Sequence, residues 1–569
     1  MELAPWWKRY PDRLEYEIQQ LEENGVLCEV NKTALAEGVV VFNLVVDIGG
    51  KVGLNIQVVF PEFYPMVQFQ AYAPDLFLNH HLQPFEKNIC FLDDPGNTWR
   101  CDDTVASFMI NQLPKVLAAG ADNNKNDLEA PRSEPITNYL QFTSGSMIFF
   151  DSAWSVPADV ECGRLVIGSN EPFHNSIIRG AIIEVKDKDG NIRVQADGKI
   201  LNGYSKRLSG RWVRFKSPPN TRSTDQLYEM ALAIDNQVKK PLSTHGDFDI
   251  IGILFQDETK WRETGDSWIF LVRTVKNNKA TPFVLVRGGR AGKQDLQGRN
   301  PVLSGIENKK VALFGLGCLG APSALEFAKC GVGKLFLLDD DYVEPGTIVR
   351  WPFGLQSAAG MEKSILLYNV IARDYPYTDV GAFVTRLGMA MWPIREPPGL
   401  RERNILLMML EDASLVYDAT AEFAINNMLA TLANERGIPY IAVAGTPGMW
   451  GGSIIRIKPG KDNACWNCVW HAFNDGIIPS PRSDLKSGDV APVGCSAPTF
   501  TGTAFDAAEI SMGGVRLAMS TLMEGITGGY PSTDWDVAIV NLRDENGNLI
   551  PPNWQTFKVQ SHPKCQCSV

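Results

Sequence analysis

The sequence predicts a multidomain protein of mixed α+β and α/β class, and three observations carry that reading. A helical repeat followed by alternating apolar runs opens the chain, short strand-like runs fill its middle, and a strand, glycine turn, helix, strand series begins after residue 310. At 569 residues the chain exceeds a single hydrophobic core, and roughly 150 residues per domain gives about three or four domains. We read an α+β domain over residues 1–125, a β-rich linker domain over 126–280 and a doubly wound α/β domain over 281–569.

In the first domain Leu14, Ile18 and Leu21 fall at helical spacing after Tyr10-Pro11. Residues 39–46 and 54–60 then alternate as strands about Gly49-Gly50, which gives a helix followed by an antiparallel meander. Residues 121–135 carry charges, Asn and Pro with little to bury, and read as a linker. Strand signals follow at 146–150, 164–167, 181–186, 251–255 and 268–274, with a turn at 187–191. No residue there suggests chemistry, so a spacer is expected. Residues 311–314, 315–320, 321–330 and 334–338 make a βαβ unit, and apolar strand-like runs recur at 415–417, 438–444 and 537–542.

Composition excludes several classes of function. With 44% apolar and 10% aromatic residues the chain is not mainly disordered. Its 54 Lys+Arg against 65 Asp+Glu leave a net charge of −11 without a dense basic run, so neither nucleic acid nor an anionic membrane is an expected partner. The opening MELAPWWKRY lacks the order of a signal peptide, and no apolar stretch approaches ~20 residues. A cytoplasmic protein is expected. The eleven cysteines, an odd number with two close pairs, suit metal and thiol chemistry in a reducing compartment better than a disulfide framework.

Gly315-Leu316-Gly317-Cys318-Leu319-Gly320 lies between a strand and an apolar helix, where glycines permit the turn and helix N-terminal amides face an anion. The second strand closes on Asp339-Asp340-Asp341, and Arg350, Gly360-Met361-Glu362-Lys363 and Tyr417-Asp418-Ala419-Thr420 follow. This spaced series resembles the adenylation domain of ubiquitin-activating enzymes and their sulfur-carrier relatives, the ThiF/MoeB superfamily, over roughly residues 285–569. The resemblance implies a Rossmann-like domain that binds ATP and Mg²⁺, with Gly315, Gly317 and Gly320 in the phosphate turn. It also implies that Asp339 holds the ribose, Asp341 lies in the same site, Arg350 and Lys363 hold the phosphates, and Asp418 positions magnesium. The family's arginine that enters from a neighbouring protomer is assigned to Arg290 in Arg287-Gly288-Gly289-Arg290, which implies a homodimer. Thr347 departs from the family's usual Asn, although its hydroxyl still donates a hydrogen bond.

Cys465-Trp466-Asn467-Cys468 and Cys565-Gln566-Cys567 form two thiolate pairs suited to a structural, tetrahedral Zn²⁺, and the resemblance supports this because many relatives bind zinc through two such pairs. The second pair is short, which leaves His562 as an alternative to Cys567. Cys495 follows a Pro- and Gly-bearing loop near a helix start, and by the same resemblance it receives the adenylated carrier.

Upstream, Pro61-Glu62-Phe63-Tyr64-Pro65, His80-His81, Asn88-Ile89-Cys90-Phe91-Leu92 and Trp99 resemble the ubiquitin-conjugating fold over about residues 8–118. Cys90 would accept the carrier from Cys495 by exchange of a thioester between thiols. Where that family has His-Pro-Asn this chain reads His80-His81-Leu82, so the asparagine that supports the oxyanion is missing, and His81 is a candidate base or donor.

Taken together, the domain order resembles the fused activating–conjugating enzymes of bacterial CBASS anti-phage operons, the CD-NTase-associated ligases. That family joins the C-terminus of a cGAS/DncV-like nucleotidyltransferase to target proteins and so primes second-messenger synthesis. Two other readings stay open: a fused enzyme for a bacterial ubiquitin-like protein, and a sulfur-carrier adenylyltransferase whose N-terminal region recruits a partner. Because the chain ends Cys567-Ser568-Val569, a separate protein is expected to supply the carboxylate.

Overall fold

A computed structural model describes residues 4–48, 51–91, 99–121, 133–169, 177–197, 203–240, 248–276, 279–388, 401–460, 463–486 and 501–565. Two units result, one formed by Met1–Ala196 with Tyr204–Gly292 and the other by Asp197–Gly203 with Lys293–Val569. Among the described residues no helix is long and apolar enough to cross a membrane, and no cysteine is joined in a disulfide.

The first unit opens with a one-turn helix, Trp6–Arg9, and then the helix Pro11–Glu23. It is followed by an antiparallel meander of β1 (Leu27–Val30), β2 (Val41–Ile48), β3 (Lys51–Val59) and β4 (Gln70–Tyr72), in that order across the sheet. Proline at the first helical position suits a site that lacks an amide partner anyway. The inward faces of helix and meander meet in a core that includes Leu21, Phe42, Ile56, Val58, Tyr64 and Val105. Glu17 is buried within this core. Its carboxylate accepts from the Tyr64 hydroxyl, from the Val105 amide at 2.9 Å and from Arg13 at 2.6 Å. Burial nonetheless pushes its carboxyl above the ordinary carboxylate range.

The same unit holds a second sheet of nine strands: β5 (Met147–Phe150), β6 (Cys162–Ser169), β7 (Arg179–Asp187), β8 (Ile192–Gln195), β9 (Lys206–Arg214), β10 (Phe248–Lys260), β11 (Glu263–Lys276), β12 (Lys279–Ala280) and β13 (Val284–Arg290). The path β10-β9-β6-β7-β5-β13-β11 returns on itself, because β10 and β11 also pair along their length from Phe248↔Thr274 to Lys260↔Glu263. The β-rich segment is therefore a closed seven-stranded barrel, with β8 and β12 attached outside that ring. Trp212, Trp268, Phe270, Leu165 and Ile250 pack in one cluster, and Leu227 and Ala231 of the helix Thr224–Ile234 pack in a second with Val213, Ile251 and Ile253 from the opposite strand faces. Residues 281–292 belong to this barrel and not to the third domain: β13 pairs with β11 and β5 and supplies one of the seven strands.

The second unit is built on β14 (Lys310–Phe314), β15 (Lys334–Leu338), β16 (Asp379–Phe383), β17 (Leu415–Asp418), β18 (Tyr440–Gly445), β19 (Gly451–Ile457), β20 (Val537–Arg543) and β21 (Leu549–Phe557), ordered β16-β15-β14-β17-β18-β19-β20-β21. Five strands are parallel, and β19–β21 continue the sheet antiparallel, so the doubly wound sheet is mixed. Alternate strand residues feed two cores: Val311, Leu313 and Leu337 pack with the helices Gly320–Lys329 and Ala504–Leu522, whereas Ala312, Phe314 and Leu338 pack with Phe423–Glu435 and Trp466–Asn474. Strand order reverses at β14, which places a crevice at its carboxyl end, where such sheets hold ligands.

Candidate functional site

The glycine turn lies at that carboxyl end. Gly315 adopts φ +78°, and a Cβ there would stand 2.7 Å from backbone atoms of Ala419 and Thr420. At Gly320 a Cβ would stand 1.8 Å from the Gly315 carbonyl oxygen, so the helix starts pressed against the turn. A Cβ on Gly317 would meet nothing within 4 Å, so its small size is not demanded by packing and leaves room for a ligand.

Asp339, just beyond β15, faces this turn. Its Oδ2 accepts from the Leu316 amide at 2.5 Å and its Oδ1 from the Asp341 amide at 2.8 Å. Burial raises its carboxyl from the ordinary value, while Lys363 and the two amides oppose that rise. The Lys363 amide donates to the Asp341 carbonyl at 3.0 Å, and a bridge between Tyr342 and Glu362 holds the two segments together. Buried Lys363 can therefore reach down from the start of the helix Lys363–Asp374 and pair with the Asp341 carboxylate. Arg350 ends the 3-10 turn Pro345–Arg350. Burial raises the Cys318 thiol, and the charges of Arg350 and Lys363 pull it back.

Sequence reasoning missed Trp351. It is buried, and its indole N–H donates to the Leu316 carbonyl at 2.8 Å, clamping the turn next to Arg350. The signal available was its adjacency to Arg350. The Thr347 hydroxyl is spent on its own turn, donating to the Glu344 carbonyl at 2.8 Å.

Asp418 requires a correction. It is fully buried; Oδ1 accepts from the Thr420 amide at 2.9 Å and hydroxyl at 2.7 Å, and Oδ2 accepts from Asn426 Nδ2 and the Tyr440 hydroxyl, each at 2.8 Å. A carboxylate with both oxygens engaged by four protein donors does not fit a magnesium ligand. It instead anchors the loop that packs against Gly315. Arg290 is the last residue of β13, paired with Phe150 in the barrel of the first unit.

Cys465 precedes the helix Trp466–Asn474, Cys468 lies in its first turn and Cys565 comes from the tail. Their sulfurs lie within 4.8 Å of one another, with Cys465 3.7 Å from Cys468 and 3.5 Å from Cys565. Sulfurs of a tetrahedral zinc site with bonds of about 2.3 Å are separated by about 3.8 Å, so the three thiols fit that ion. His562 does not fit as the alternative ligand. Its Nε2 lies 3.1 Å from Asp475 Oδ2, and its Nδ1 accepts from the Lys564 amide at 3.2 Å. Cys567 and Cys495 lie outside the described residues.

Cys90 follows the short bridge between Leu82 and Ile89, and its amide donates to the His81 carbonyl at 2.9 Å. His81 is buried at φ +63°, with its Nδ1 3.6 Å from Glu134. His80 packs at a tilt against Trp261 with ring centroids 4.8 Å apart and approaches Glu258 at 3.3 Å. The barrel thus reaches the Cys90 loop, a contact that the expectation of an inert spacer missed.

Residues 295–569 match the ThiF family. Over 596 aligned positions the chain is 31% identical to the uncharacterised protein y4oA of Sinorhizobium fredii, covering 99% of this chain and 97% of y4oA. It is 22% identical over 188 residues to the molybdopterin-synthase adenylyltransferase of Salmonella typhimurium, covering 33% of this chain and 68% of that protein. The crystal structure of Escherichia coli MccB with MccA-N7isoASN aligns with 47% of this chain and 69% of its own, at 14% identity and a TM-score of 0.34. The C-terminal part of the chain is thus similar to the ThiF family and to an adenylyltransferase. As a whole, the protein belongs to one family with y4oA.

Proposed function

We propose that this protein is an ATP-dependent protein ligase. It adenylates the C-terminal carboxylate of a partner protein, takes that carboxylate as a thioester on Cys495, passes it to Cys90 and joins it to a target amine. The observation that carries the first step is the convergence of an open Gly317, Asp339 and Lys363 at the carboxyl end of β14, with Arg350 next to the Trp351 that clamps the turn. Negative charge builds on the α-phosphate as the carboxylate attacks, and Arg350 and Lys363 would stabilise it. The amides of the glycine turn and the helix Gly320–Lys329 receive the phosphates, and the acceptor oxygens of Asp339 suit ribose hydroxyls. No side chain need act as a nucleophile in this step.

Support for the later steps comes from the first unit. A helix, a four-stranded meander and a cysteine loop occur in the order of the ubiquitin-conjugating fold, and the Trp99 indole donates to the Pro65 carbonyl at 2.7 Å in the turn that the family resemblance singled out. Zinc held by Cys465, Cys468 and Cys565, with Cys567 as fourth ligand, would tie the tail to the helix Trp466–Asn474; four thiolates would leave no open position, so its role is structural. We assign the chain to a homodimer, with Arg290 serving the neighbouring protomer's nucleotide, and to the cytoplasm. The carrier is a cGAS/DncV-like nucleotidyltransferase, and the reaction primes anti-phage signalling. A ubiquitin-like or sulfur-carrier protein is the second reading, favoured by the adenylyltransferase relative named above.

Exchange of labelled pyrophosphate into ATP, assayed with each neighbouring gene product in turn, tests the activation step. Exchange that requires one such protein, and that is lost when its C-terminal carboxylate is amidated, is the expected result. Exchange with no carrier present, or with none of the candidates, contradicts the proposal.

A further inference from the structure

Cys90 closes a small antiparallel hairpin. The bridge between Leu82 and Ile89 lies within it, the Gln83 amide donates to the Asn88 carbonyl at 2.8 Å, and the Cys90 amide donates to the His81 carbonyl at 2.9 Å. One side of the hairpin is tied to the meander, where the Ile89 amide donates to the carbonyl of Ala71 in β4 at 2.7 Å. The other side is held from outside the N-terminal helix and meander. Both Glu134 oxygens accept from the His81 amide at 3.0 Å. The Glu134 amide donates to Glu258 Oε2 of β10 at 2.5 Å, and Glu258 Oε1 accepts from the Arg262 amide at 2.6 Å in the turn between β10 and β11. His80 packs against Trp261 of the same turn. At the tip of the hairpin Arg222 donates to Glu86 at 2.6 Å and lies over the Phe85 ring, 4.8 Å from its centroid. Arg222 is itself anchored, since its Nε donates to the Tyr139 carbonyl at 2.8 Å.

We propose that the barrel and its flanking segments grip this hairpin to position Cys90, with Glu134 the positioning residue at its base and Arg222 at its tip. The inference rests on the reading that Cys90 carries a thioester, because exchange of an acyl group between two thiols requires the receiving sulfur to be held in one place. Neither residue touches the reacting atoms; Glu134 acts through the His81 peptide, and Arg222 through Glu86 and Phe85.

The backbone at His81 shows why a grip is needed. His81 is buried at φ +63°, a conformation that residues other than glycine seldom adopt and that persists only where the surroundings enforce it. Acceptance of its amide by both Glu134 oxygens supplies that enforcement, and the carbonyl of the same residue receives the Cys90 amide. Loss of Glu134 would leave the His81 amide without its carboxylate acceptor and free the residue to relax, and the Cys90 amide would lose its fixed partner with it. What the His81 amide requires is an acceptor oxygen: a glutamine side chain offers one, and an alanine offers none. Residues that read as a linker and an inert spacer therefore bear on the thiol.

The test uses full-length wild type, Glu134→Ala, Glu134→Gln and Arg222→Ala. Hydrogen–deuterium exchange of the peptides covering residues 82–90 needs no carrier. In Glu134→Ala the Cys90 amide should exchange about tenfold faster than in wild type while the meander strands keep their protection, and Glu134→Gln should stay within about threefold of wild type. Wild-type exchange in Glu134→Ala overturns the grip. Equal acceleration in Glu134→Gln and Glu134→Ala also overturns it, because the charge and not the acceptor oxygen would then be at work. If Glu134→Ala fails to fold, Arg222→Ala decides through the amides of residues 83–88, which should exchange faster than in wild type; unchanged rates there overturn the grip. A parallel assay follows the reductant-labile adduct on Cys90 with ATP, Mg²⁺ and each neighbouring gene product in turn. It should form about tenfold more slowly in Glu134→Ala and close to the wild-type rate in Glu134→Gln. Equal rates in Glu134→Ala and wild type overturn the positioning role. No adduct on wild type with any of these proteins rejects the thioester reading, while the exchange rates still judge the grip.

Discussion

The Asp339 carboxylate accepts a hydrogen bond from the Leu316 backbone amide at 2.5 Å, which ties the end of the second parallel strand to the middle of the glycine turn. One side chain thereby shapes the turn and presents acceptor oxygens at the edge of the crevice. Asp339→Ala should lower carrier-dependent pyrophosphate exchange by about a hundredfold, as for loss of one preorganised polar contact. Circular dichroism should show the wild-type secondary structure. Full exchange activity in the variant would remove Asp339 from the nucleotide site.

Two glycines in the same turn separate packing from binding. Gly320→Ala would drive a methyl into the Gly315 carbonyl, and we expect a loss of about 2 kcal/mol or more in urea unfolding. A methyl on Gly317 meets no protein atom, so Gly317→Ala should leave stability within about 0.5 kcal/mol and instead weaken ATP binding. The reverse ranking in either assay contradicts the assignment.

Asp418 should behave as a structural anchor. Asp418→Asn leaves hydroxyl and amide donors facing an N–H₂ group, and a loss of about 2–4 kcal/mol is expected. Tyr440→Phe removes a single donor and should lose about 1–2 kcal/mol. At a temperature where both variants stay folded, the magnesium concentration for half-maximal exchange should match wild type; a large rise in Asp418→Asn alone would restore it as a magnesium ligand.

Much of the second unit was legible because its geometry is local. The strand over 334–338, the turn over 315–320 and the helix beginning at Gly320 follow from period, glycine spacing and chain direction. Trp351 and Tyr440 were not legible, since their partners Leu316 and Asp418 lie 35 and 22 residues away and meet them only in the tertiary fold. The barrel was half legible: β10 and β11 read as strands, but closure depends on β9 and β13, whose polar and glycine-rich stretches resemble loops. Arg290, read as the family's arginine from a neighbouring protomer, is itself the last residue of β13. Glu134 lies within what reads as a linker, and its contact with the His81 amide forms only in the tertiary fold.

Metal content tests the three converging thiols. Purified protein should carry about one zinc per chain, and Cys565→Ser should lower both the zinc content and the melting temperature. A strong chelator should reproduce that fall in wild type and leave Cys565→Ser unchanged. Zinc-free wild type with an unaltered melt would show that the cluster is a set of packed thiols.

The buried Glu17 carboxyl sets the sign of a pH effect. Its folded pKa lies above the unfolded value, so the folded state retains a proton that the unfolded state has lost, and this group's contribution declines as pH rises between the two. The stability difference between wild type and the non-titrating Glu17→Gln should therefore shift against wild type from about pH 4 to pH 6, measured by urea unfolding. A shift toward wild type would mean that the Arg13, Tyr64 and Val105 contacts outweigh burial.

The relay between two cysteines is tested most directly by intact mass spectrometry of wild type, Cys90→Ala and Cys495→Ala, each incubated with ATP, Mg²⁺ and the neighbouring gene products, before and after reductant. The account predicts a reductant-labile adduct of the carrier's mass on Cys90→Ala and none on Cys495→Ala. Consumption of ATP with a carrier but without a labile adduct on any of the three would contradict the relay and leave adenylation as the whole reaction.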